Sequence, residues 1–445
     1  MARVRSYRII PRSVRLTWGI NQKLVVSIFI NPIGDRVMKS FKFNFSIVAA
    51  ASLFALAFPV SSFSAEKELL LGINDALTGP GAVYGLPQAN AVQMAIEEIN
   101  ARGGIKAGAD NYKLKAVSND DKANPTEATN SVRKLIDRDN VKYLVGFCCS
   151  GSTSAVASFI AKENVVMLVG NAAERAITAA GTPNLFRTRP PADFTGAAAG
   201  TFVAKRGAKN IAVIGSLDVS FYTQYLDAFE REIVKAGGKI VAKETFGLKD
   251  RDMTPQLTKV KALNPDALLV LGYVEPAAFV YRQSVELGMK LPRYGFTSGS
   301  EEQFLKVASS DQMEGVWDLR PTELTIEALD ANAKTYVANY TKKFGTPPSP
   351  SSPYAYDQVY VLKNAIEKAG GAEDIKKVMN EIGKISVPKE AVMKYLPTDG
   401  TMFDVNGQAY TSNGAFQWQK GKWIYVSDLP SDTKTYSSFL RSLRK

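Results

Sequence analysis

The chain has 445 residues, with 55 lysines and arginines against 43 acidic residues, a net charge of +12 and no histidine. The absence of histidine excludes Ser-His-Asp and Cys-His nucleophile systems and histidine-ligated metal sites. Eight of the twelve excess positive charges lie before residue 43, and the remainder shows no basic stripe with interleaved aromatic residues, which disfavours nucleic-acid binding. We therefore expect no catalysis, no cofactor and no metal.

The N-terminal region carries the features of an export signal. An apolar run at residues 47–58 follows two lysines and is followed by small residues. This order predicts a cleaved signal peptide over 38–65, and the run is shorter than a typical membrane span. We expect export to the periplasm. Residues 1–37 are expected either to precede the true start at Met38 or to form an extended leader.

From residue 69 onward, strand and helix patterns alternate. Apolar or alternating runs predict a first series of strands at residues 69–75, 112–120, 141–147 and 165–170. Apolar residues at i, i+3, i+4 and i+7, or an Asn-Pro cap, predict helices within 88–104, from 124 onward and within 151–164. This regular alternation is typical of a parallel sheet covered by helices.

A second series of the same kind follows. Its strands are predicted at 210–215, 239–247 and 266–273, and its helices at 222–236 and 254–264. Later features are helices at 326–343 and 355–369, a surface loop at 345–353 and a hairpin at 414–426. The last residues, 432–445, are expected to form a short amphipathic helix or a loosely held tail. Two such series predict an α/β protein with two lobes.

Several short stretches then carry a family resemblance. They stand in family order across roughly residues 68–425 and read "LTGPGAVYG", "AIEEINARGGIK", "NDDKANPTEA", "YLVGFCCSGSTSA", "NLFRT" and "LVLGY". In this the chain resembles the periplasmic leucine/isoleucine/valine-binding proteins. These are type I solute-binding proteins, which deliver substrates to ATP-driven membrane importers.

The resemblance implies a two-lobed type I periplasmic binding fold with three hinge crossings. The crossings would lie near residues 187–191, 316–321 and 410–414. Lobe 1 would then contain residues 66–188 plus 319–411, and lobe 2 residues 189–318 plus 412–445. Closure of the lobes around a ligand is the expected motion.

The resemblance also implies a carboxylate site at the start of a helix. In the family, the serine matching Ser150 and the backbone matching residues 171–173 hold the ligand's carboxylate. The implied residues are Ser150, Gly151, Asn171, Ala172 and Ala173. The unpaired N–H groups of a helix N-terminus suit an anion, which fits residues 150–153. A purely structural role of these residues as cap and turn is the alternative.

Aromatic residues would complete the site. The resemblance implies Tyr84, Phe221 (or its neighbour Tyr222) and Tyr273 as pocket walls, although each could instead be ordinary core packing. The pair Tyr356 and Asp357 is expected to cap and pack a helix, with a position near the cleft as the alternative.

The ammonium half of the family site is altered. Amino-acid-binding members use a glutamate and a threonine where this chain has Ser298 and Ala173. Three polar residues are close enough in sequence to compensate, namely Asn171, Asp218 and Glu275. We expect a branched-chain or related amino acid as the first candidate ligand. An aromatic or aliphatic carboxylate without an amino group is the second.

The expected partners are the permease and ATPase subunits of an importer, with the binding protein itself a monomer. A ligand-sensing ectodomain is the rival class of function, and an exported enzyme is disfavoured because histidine is absent. No nucleic acid is expected as a partner.

The two cysteines of the chain are adjacent, Cys148 and Cys149. The family cysteine matching Cys149 has its partner where this chain has Ala123. Adjacent Cα atoms lie about 3.8 Å apart, below the usual disulfide window, and successive strand side chains point to opposite faces. We therefore predict two unpaired thiols, with a vicinal disulfide as the alternative.

Overall fold

The computed structural model describes residues 14–18, 24–28, 65–217, 219–247, 249–297, 299–321 and 330–444. The chain divides into two compact units, residues 1–63 and 64–445. In the first unit, strands β1 (Val14–Trp18) and β2 (Leu24–Ile28) pair antiparallel. The sequence patterns predict no element there, because its many basic residues obscure two short runs rich in strand-forming residues. The predicted signal peptide up to residue 64 lies outside the described residues.

The second unit contains two sheets, of which the first has six strands among the described residues. In chain order they are β3 (Ala65–Asp75), β4 (Ile105–Ala107), β5 (Asp110–Asp120), β6 (Tyr143–Gly146), β7 (Val166–Val169) and β8 (Leu185–Arg187). Their spatial order is β4-β5-β3-β6-β7-β8, and every pair except β4–β5 is parallel.

The second sheet has seven strands within the described ranges. They are β9 (Asn210–Gly215), β10 (Lys239–Thr245), β11 (Ala267–Leu271), β12 (Arg293–Gly295), β13 (Trp317–Pro321), β14 (Asn413–Gln419) and β15 (Lys422–Leu429). The order is β10-β9-β11-β12-β13-β14-β15, with the first five strands parallel and the last two antiparallel.

Helices flank both sheets. They are α1 (Ala82–Ala101), α2 (Pro125–Asp137), α3 (Ser150–Ile160), α4 (Ala176–Ala179), α5 (Ala192–Lys205), α6 (Ser220–Lys235), α7 (Thr254–Ala262), α8 (Val274–Glu286), α9 (Glu301–Leu305), α10 (Ser310–Met313), α11 (Ala331–Phe344), α12 (Pro353–Ala369), α13 (Ile375–Gly383) and α14 (Thr433–Ser442). Within the described residues, none of these helices is both long and apolar enough to cross a membrane.

The central strands are buried on both faces, which explains their continuous apolar runs. In β6, Val145 packs into the core shared with α1 and α12, whereas Leu144 packs into the core shared with α2 and α3. The Asn-Pro cap of α2 forms as predicted, with Asn124 accepting the N–H groups of Thr126 and Glu127. The predicted two-sheet α/β fold is therefore confirmed.

The chain passes between the two sheets three times. After β8 the chain passes to α5, which packs beside α6 on the second sheet. After β13 it passes to α11 and α12 on the first sheet, and it finally returns to β14 in the second sheet. The parallel strands of both sheets direct their carboxyl ends toward the same space. In open α/β sheets, ligands usually bind beyond these strand ends.

One predicted surface loop is wrong in its second half. Residues 345–347 are exposed, but residues 348–352 are buried. The physical reason is that this segment enters α12, and Ser352 is hydrogen-bonded to the hydroxyl of Tyr336 beneath it. By contrast, the amphipathic alternative for the C-terminus is confirmed by α14.

Helix α12 also settles the role of the pair at 356–357. The hydroxyl of Tyr356 donates to Glu98, and Asp357 accepts the N–H groups of Val392 and Met393. Burial raises the pKa of Asp357 to about 7. The favoured prediction, that these residues pack a helix away from the cleft, is confirmed.

Candidate ligand-binding site

A cavity lies where the carboxyl ends of the strands of the two sheets meet. It has a volume of about 400 Å³, which includes space open to solvent. The residues that line it from the side of the first sheet are Tyr84, Cys148, Cys149, Ser150, Asn171 and Ala173. The residues that line it from β8 onward and from the second sheet are Arg189, Phe221, Tyr222, Tyr273, Phe296 and Thr297.

Ser150 is the first residue of α3 and lines the cavity. Its Oγ accepts the backbone N–H groups of Ala173 at 3.0 Å and Glu174 at 3.2 Å. Because both bonds use the oxygen as acceptor, the hydroxyl hydrogen remains able to donate to a ligand. The hydroxyls of Ser152 and Thr153 instead donate to the carbonyl of Cys149. Ser150 and the N–H groups of the first helical turn are donors of the kind that bind anions at helix N-termini.

The prediction of two unpaired thiols is wrong, because Cys148 and Cys149 form a vicinal disulfide with a Cα–Cα distance of 3.8 Å. The alternation argument fails because β6 ends at Gly146 and Phe147 adopts φ +65°, which breaks the pleat before the cysteines. Gly81 leaves room for the bridge, since a Cβ there would lie 3.1 Å from Cys149 Sγ. The bridge forms part of the cavity wall.

A buried carboxyl group, that of Asp75, is hydrogen-bonded to the turn that contains the two cysteines. Asp75, the last residue of β3, accepts the N–H of Cys148 at 2.8 Å, and its other oxygen has no hydrogen-bond partner among the described residues. Burial, aided by the nearby charge of Asp121, raises the pKa of Asp75 well above its ordinary value. A protonated Asp75 would hold the turn without adding negative charge behind the cavity.

Aromatic rings enclose the cavity from both sides. Tyr84 in α1 contacts Tyr273 edge-on with ring centroids 5.4 Å apart, and its hydroxyl donates to the carbonyl of Thr297 at 3.4 Å. Phe221 stacks against Tyr273 at 6.4 Å. Burial raises the pKa of both Tyr84 and Tyr273, so these phenols stay neutral at ordinary pH. These contacts join the two sides across the cleft.

Arg189 is a lining residue that sequence reasoning did not single out. It follows β8 in the first crossing segment, and it is only 5% exposed. Its Nη1 donates to the carbonyl of Asn171 at 2.9 Å, and its guanidinium lies 5.5 Å from the ring centroid of Phe296. The signal that could have found it is a charged residue beside two prolines in a segment already predicted to be a hinge.

The residues expected to replace the ammonium site behave differently from one another. Glu275 points to solvent, where it forms an ion pair with Arg251 at 3.3 Å. Asp218 and Ser298 lie outside the described residues. Asn171 lines the cavity, and its side-chain oxygen has no hydrogen-bond partner within the described part of the chain.

The structure brings together six of the nine predicted ligand-binding residues, namely Tyr84, Ser150, Asn171, Ala173, Phe221 and Tyr273. Gly151 is exposed at the start of α3, Ala172 is buried behind the cavity, and Ser298 is not described. The lining residues that the sequence did not assign to the site are Cys148, Cys149, Arg189, Phe296 and Thr297, while Tyr222 lines it together with Phe221.

Comparisons with known proteins agree with this architecture. A family model described as periplasmic binding protein matches residues 69–422. A leucine-, isoleucine-, valine-, threonine- and alanine-binding protein of Pseudomonas aeruginosa is 27% identical over 82% of this chain and 94% of its own length. A Leu/Ile/Val-binding protein of Escherichia coli is 26% identical over 61% of this chain and 72% of its own length.

Two solved structures share the fold. The branched-chain amino acid transporter substrate-binding protein of Streptococcus pneumoniae, in complex with isoleucine, is 24% identical, with a TM-score of 0.71 over 82% of this chain and 100% of its own. A solute-binding protein of an R. palustris ABC transporter, in complex with benzoate, is 19% identical, with a TM-score of 0.71 over 82% of this chain and 98% of its own.

Proposed function

The chain belongs to the periplasmic binding protein family, whose members bind substrates and are not enzymes. We propose that it captures a small carboxylate without an amino group for an ABC importer. The ligand class that fits best is an aromatic acid. One observation carries this choice. The described residues that line the cavity include five aromatic rings and one arginine, and they include no acidic side chain.

The charge of the cavity favours a net anion. A zwitterionic amino acid brings an ammonium group that must be paired when it is buried, at a cost of at least a few kcal/mol if it is not. Glu275, the described acid nearest in sequence to Tyr273, is turned to solvent. A carboxylate without an amino group carries no such cost, and the described lining includes one cation, Arg189, which favours a negatively charged ligand.

The start of α3 is the proposed carboxylate anchor. Ser150 is 5% exposed and lines the cavity, and because its oxygen accepts two N–H groups, its hydroxyl hydrogen is left to donate to a ligand. The aromatic rings opposite would enclose the apolar body of the ligand, because flat aromatic surfaces pack well against one another. The structure of the R. palustris protein in complex with benzoate shows that a shared fold accommodates such a ligand.

A branched-chain amino acid, the first candidate from the sequence, is the second candidate here. The names of the curated relatives favour it, and the unpartnered side-chain oxygen of Asn171 offers an acceptor for an ammonium group. A neutral amide beside the Arg189 guanidinium is a poor counter-charge, which is why this ligand takes second place.

Lobe closure would complete capture. The proposed lobes are residues 66–188 plus 319–411 and residues 189–318 plus 412–445, with the crossing segments as hinges. The contacts of Tyr84 with Tyr273 and Thr297 are of the kind that a closed cleft requires. Export by a signal peptide cleaved near Ala65, a monomeric state and delivery to a permease with its ATPases belong to the same proposal.

Ligand carried through purification tests the function directly. The protein is isolated from its native host without refolding, and small molecules released by acid are identified by mass spectrometry. The proposal predicts a carboxylic acid that lacks an amino group. An amino acid released in equimolar amount would contradict it. The same sample gives the N-terminal residue, which is expected at Ala65 or Glu66.

A further inference from the structure

Arg189 is a buried cation that faces the cavity with unused hydrogen-bonding capacity. It is 5% exposed and uses Nη1 to hold the carbonyl of Asn171, whereas its Nε has no partner among the described residues. A guanidinium group has five N–H donors, so the bond to Asn171 does not exhaust the donors of Arg189.

The described residues around Arg189 leave its charge without a paired carboxylate. Asp318, a buried acid on neighbouring β13, accepts both the N–H and the hydroxyl of Thr297 and pairs with Arg320 at 3.4 Å. A buried charge without a counter-charge is strongly unfavourable. Because Arg189 lines the cavity, a bound ligand is in a position to supply that counter-charge.

Ser150 and Arg189 are fixed to nearby points on one segment of backbone. Ser150 holds the N–H of Ala173, and Arg189 holds the carbonyl of Asn171, two residues earlier. Two residues of extended chain span at most about 7 Å. The Ser150 hydroxyl and the Arg189 guanidinium therefore lie on the same wall of the cavity and are held to points at most about 7 Å apart along the backbone.

Resting on the proposed function, we infer that the ligand is an aromatic dicarboxylate, with one carboxylate at Ser150 and the α3 N-terminus and the second at Arg189. An arginine matches a carboxylate in a two-point geometry and favours it over a neutral group of the same shape. The second negative charge is thus what distinguishes the preferred ligand from a simple aromatic acid.

Terephthalate, its monomethyl ester and benzoate form a series that tests this inference on the unaltered protein by calorimetry at pH 7.5. The ester removes one charge and adds only a methyl group, and benzoate removes the second carboxylate altogether. We expect terephthalate to bind roughly 10- to 100-fold more tightly than the ester or benzoate, from one charged hydrogen-bonded pair. Isophthalate and phthalate then report the spacing. Equal affinities for terephthalate, its ester and benzoate would overturn the inference.

Substitutions of Arg189 test whether this residue binds the second carboxylate of the ligand. R189M should remove the preference for terephthalate over benzoate, and R189K, which keeps the charge but not the fork, should retain part of it. R206M is the matched control, since Arg206 is exposed and contacts Trp317 outside the cavity. Circular dichroism and melting checks confirm that each variant folds.

The outcomes separate the two proposals. If R189M lowers binding of terephthalate and benzoate by the same factor, Arg189 shares one carboxylate with Ser150 and the inference is wrong, although the proposed function stands. If no carboxylate of the series binds and an amino acid does, both the inference and the proposed function are wrong.

Discussion

Removal of the Ser150 hydroxyl should affect both stability and ligand affinity. In S150A the N–H groups of Ala173 and Glu174 lose their acceptor, which lies 3.0 and 3.2 Å away. At about 1 kcal/mol for each bond, the ligand-free protein should lose ~2 kcal/mol of stability. For the unit of residues 64–445 unfolding as a whole, at about 2.1 cal/mol/K of unfolding entropy per residue, that corresponds to a fall in Tm of roughly 2–3 °C. The loss of a hydrogen bond to an ionised carboxylate should weaken ligand binding roughly 10- to 100-fold.

Differential scanning calorimetry of the ligand-free protein and titration with benzoate measure the two effects separately. S158A is the matched control, because Ser158 lies on the same helix, is exposed and donates only to the carbonyl of Ala155. It should change neither quantity. The reasoning is refuted if S150A retains full affinity for carboxylates, or if S158A is as harmful as S150A.

Three further predictions concern charge and the cysteines. E275Q should change ligand affinity by less than about twofold, since an exposed ion pair contributes little, and a complete loss of binding in titration would place Glu275 at the ligand after all. The intact mass of the native protein should be lower than that of the reduced protein by two hydrogen atoms, because Cys148 and Cys149 form a disulfide. Equal masses would show that the two cysteines are free thiols. The pKa of buried Asp75 is raised in the folded state above its value of about 4 in the unfolded chain. The stability that the protonated group contributes is therefore fully present below about pH 4 and is lost as the pH rises through the folded-state pKa. D75N should therefore gain in unfolding free energy relative to the unaltered protein between pH 5 and pH 8 in urea denaturation, and a difference that does not vary with pH would count against this.

The fold was readable from the sequence because its central strands are long enough to show a pattern. The run that contains β6 and the late hairpin of β14 and β15 carry strong apolar or alternating signals, and their boundaries were close to those observed. Strands of three residues such as β12 escaped prediction, because so short a run carries no measurable period. The burial of residues 348–352 was missed because prolines and serines are typical of surface loops, and only the tertiary contact with Tyr336 reverses that tendency.

The site was only partly readable. The helix start at Ser150 has a local signature, since a helix N-terminus after a strand is recognisable from neighbouring residues alone. Phe296, Thr297 and Arg189 reach the cavity from a very short strand and a crossing segment, so their placement depends on the packing of distant elements. The disulfide was mispredicted for a local reason, because the positive φ of Phe147 cannot be read from a sequence that contains no glycine at that position.

Among the described residues, the cavity lining offers no acidic side chain to an ammonium group, and one pair of ligands tests the consequence most directly. L-phenylalanine and 3-phenylpropanoate share the same carbon skeleton and carboxylate and differ only in the amino group. Calorimetric titration of the purified protein, freed of any carried ligand, should show 3-phenylpropanoate binding at least tenfold more tightly, because an unpaired buried ammonium costs more than about 1.4 kcal/mol. Equal or tighter binding of L-phenylalanine would contradict the account and show that an acidic partner for the ammonium group exists in the site.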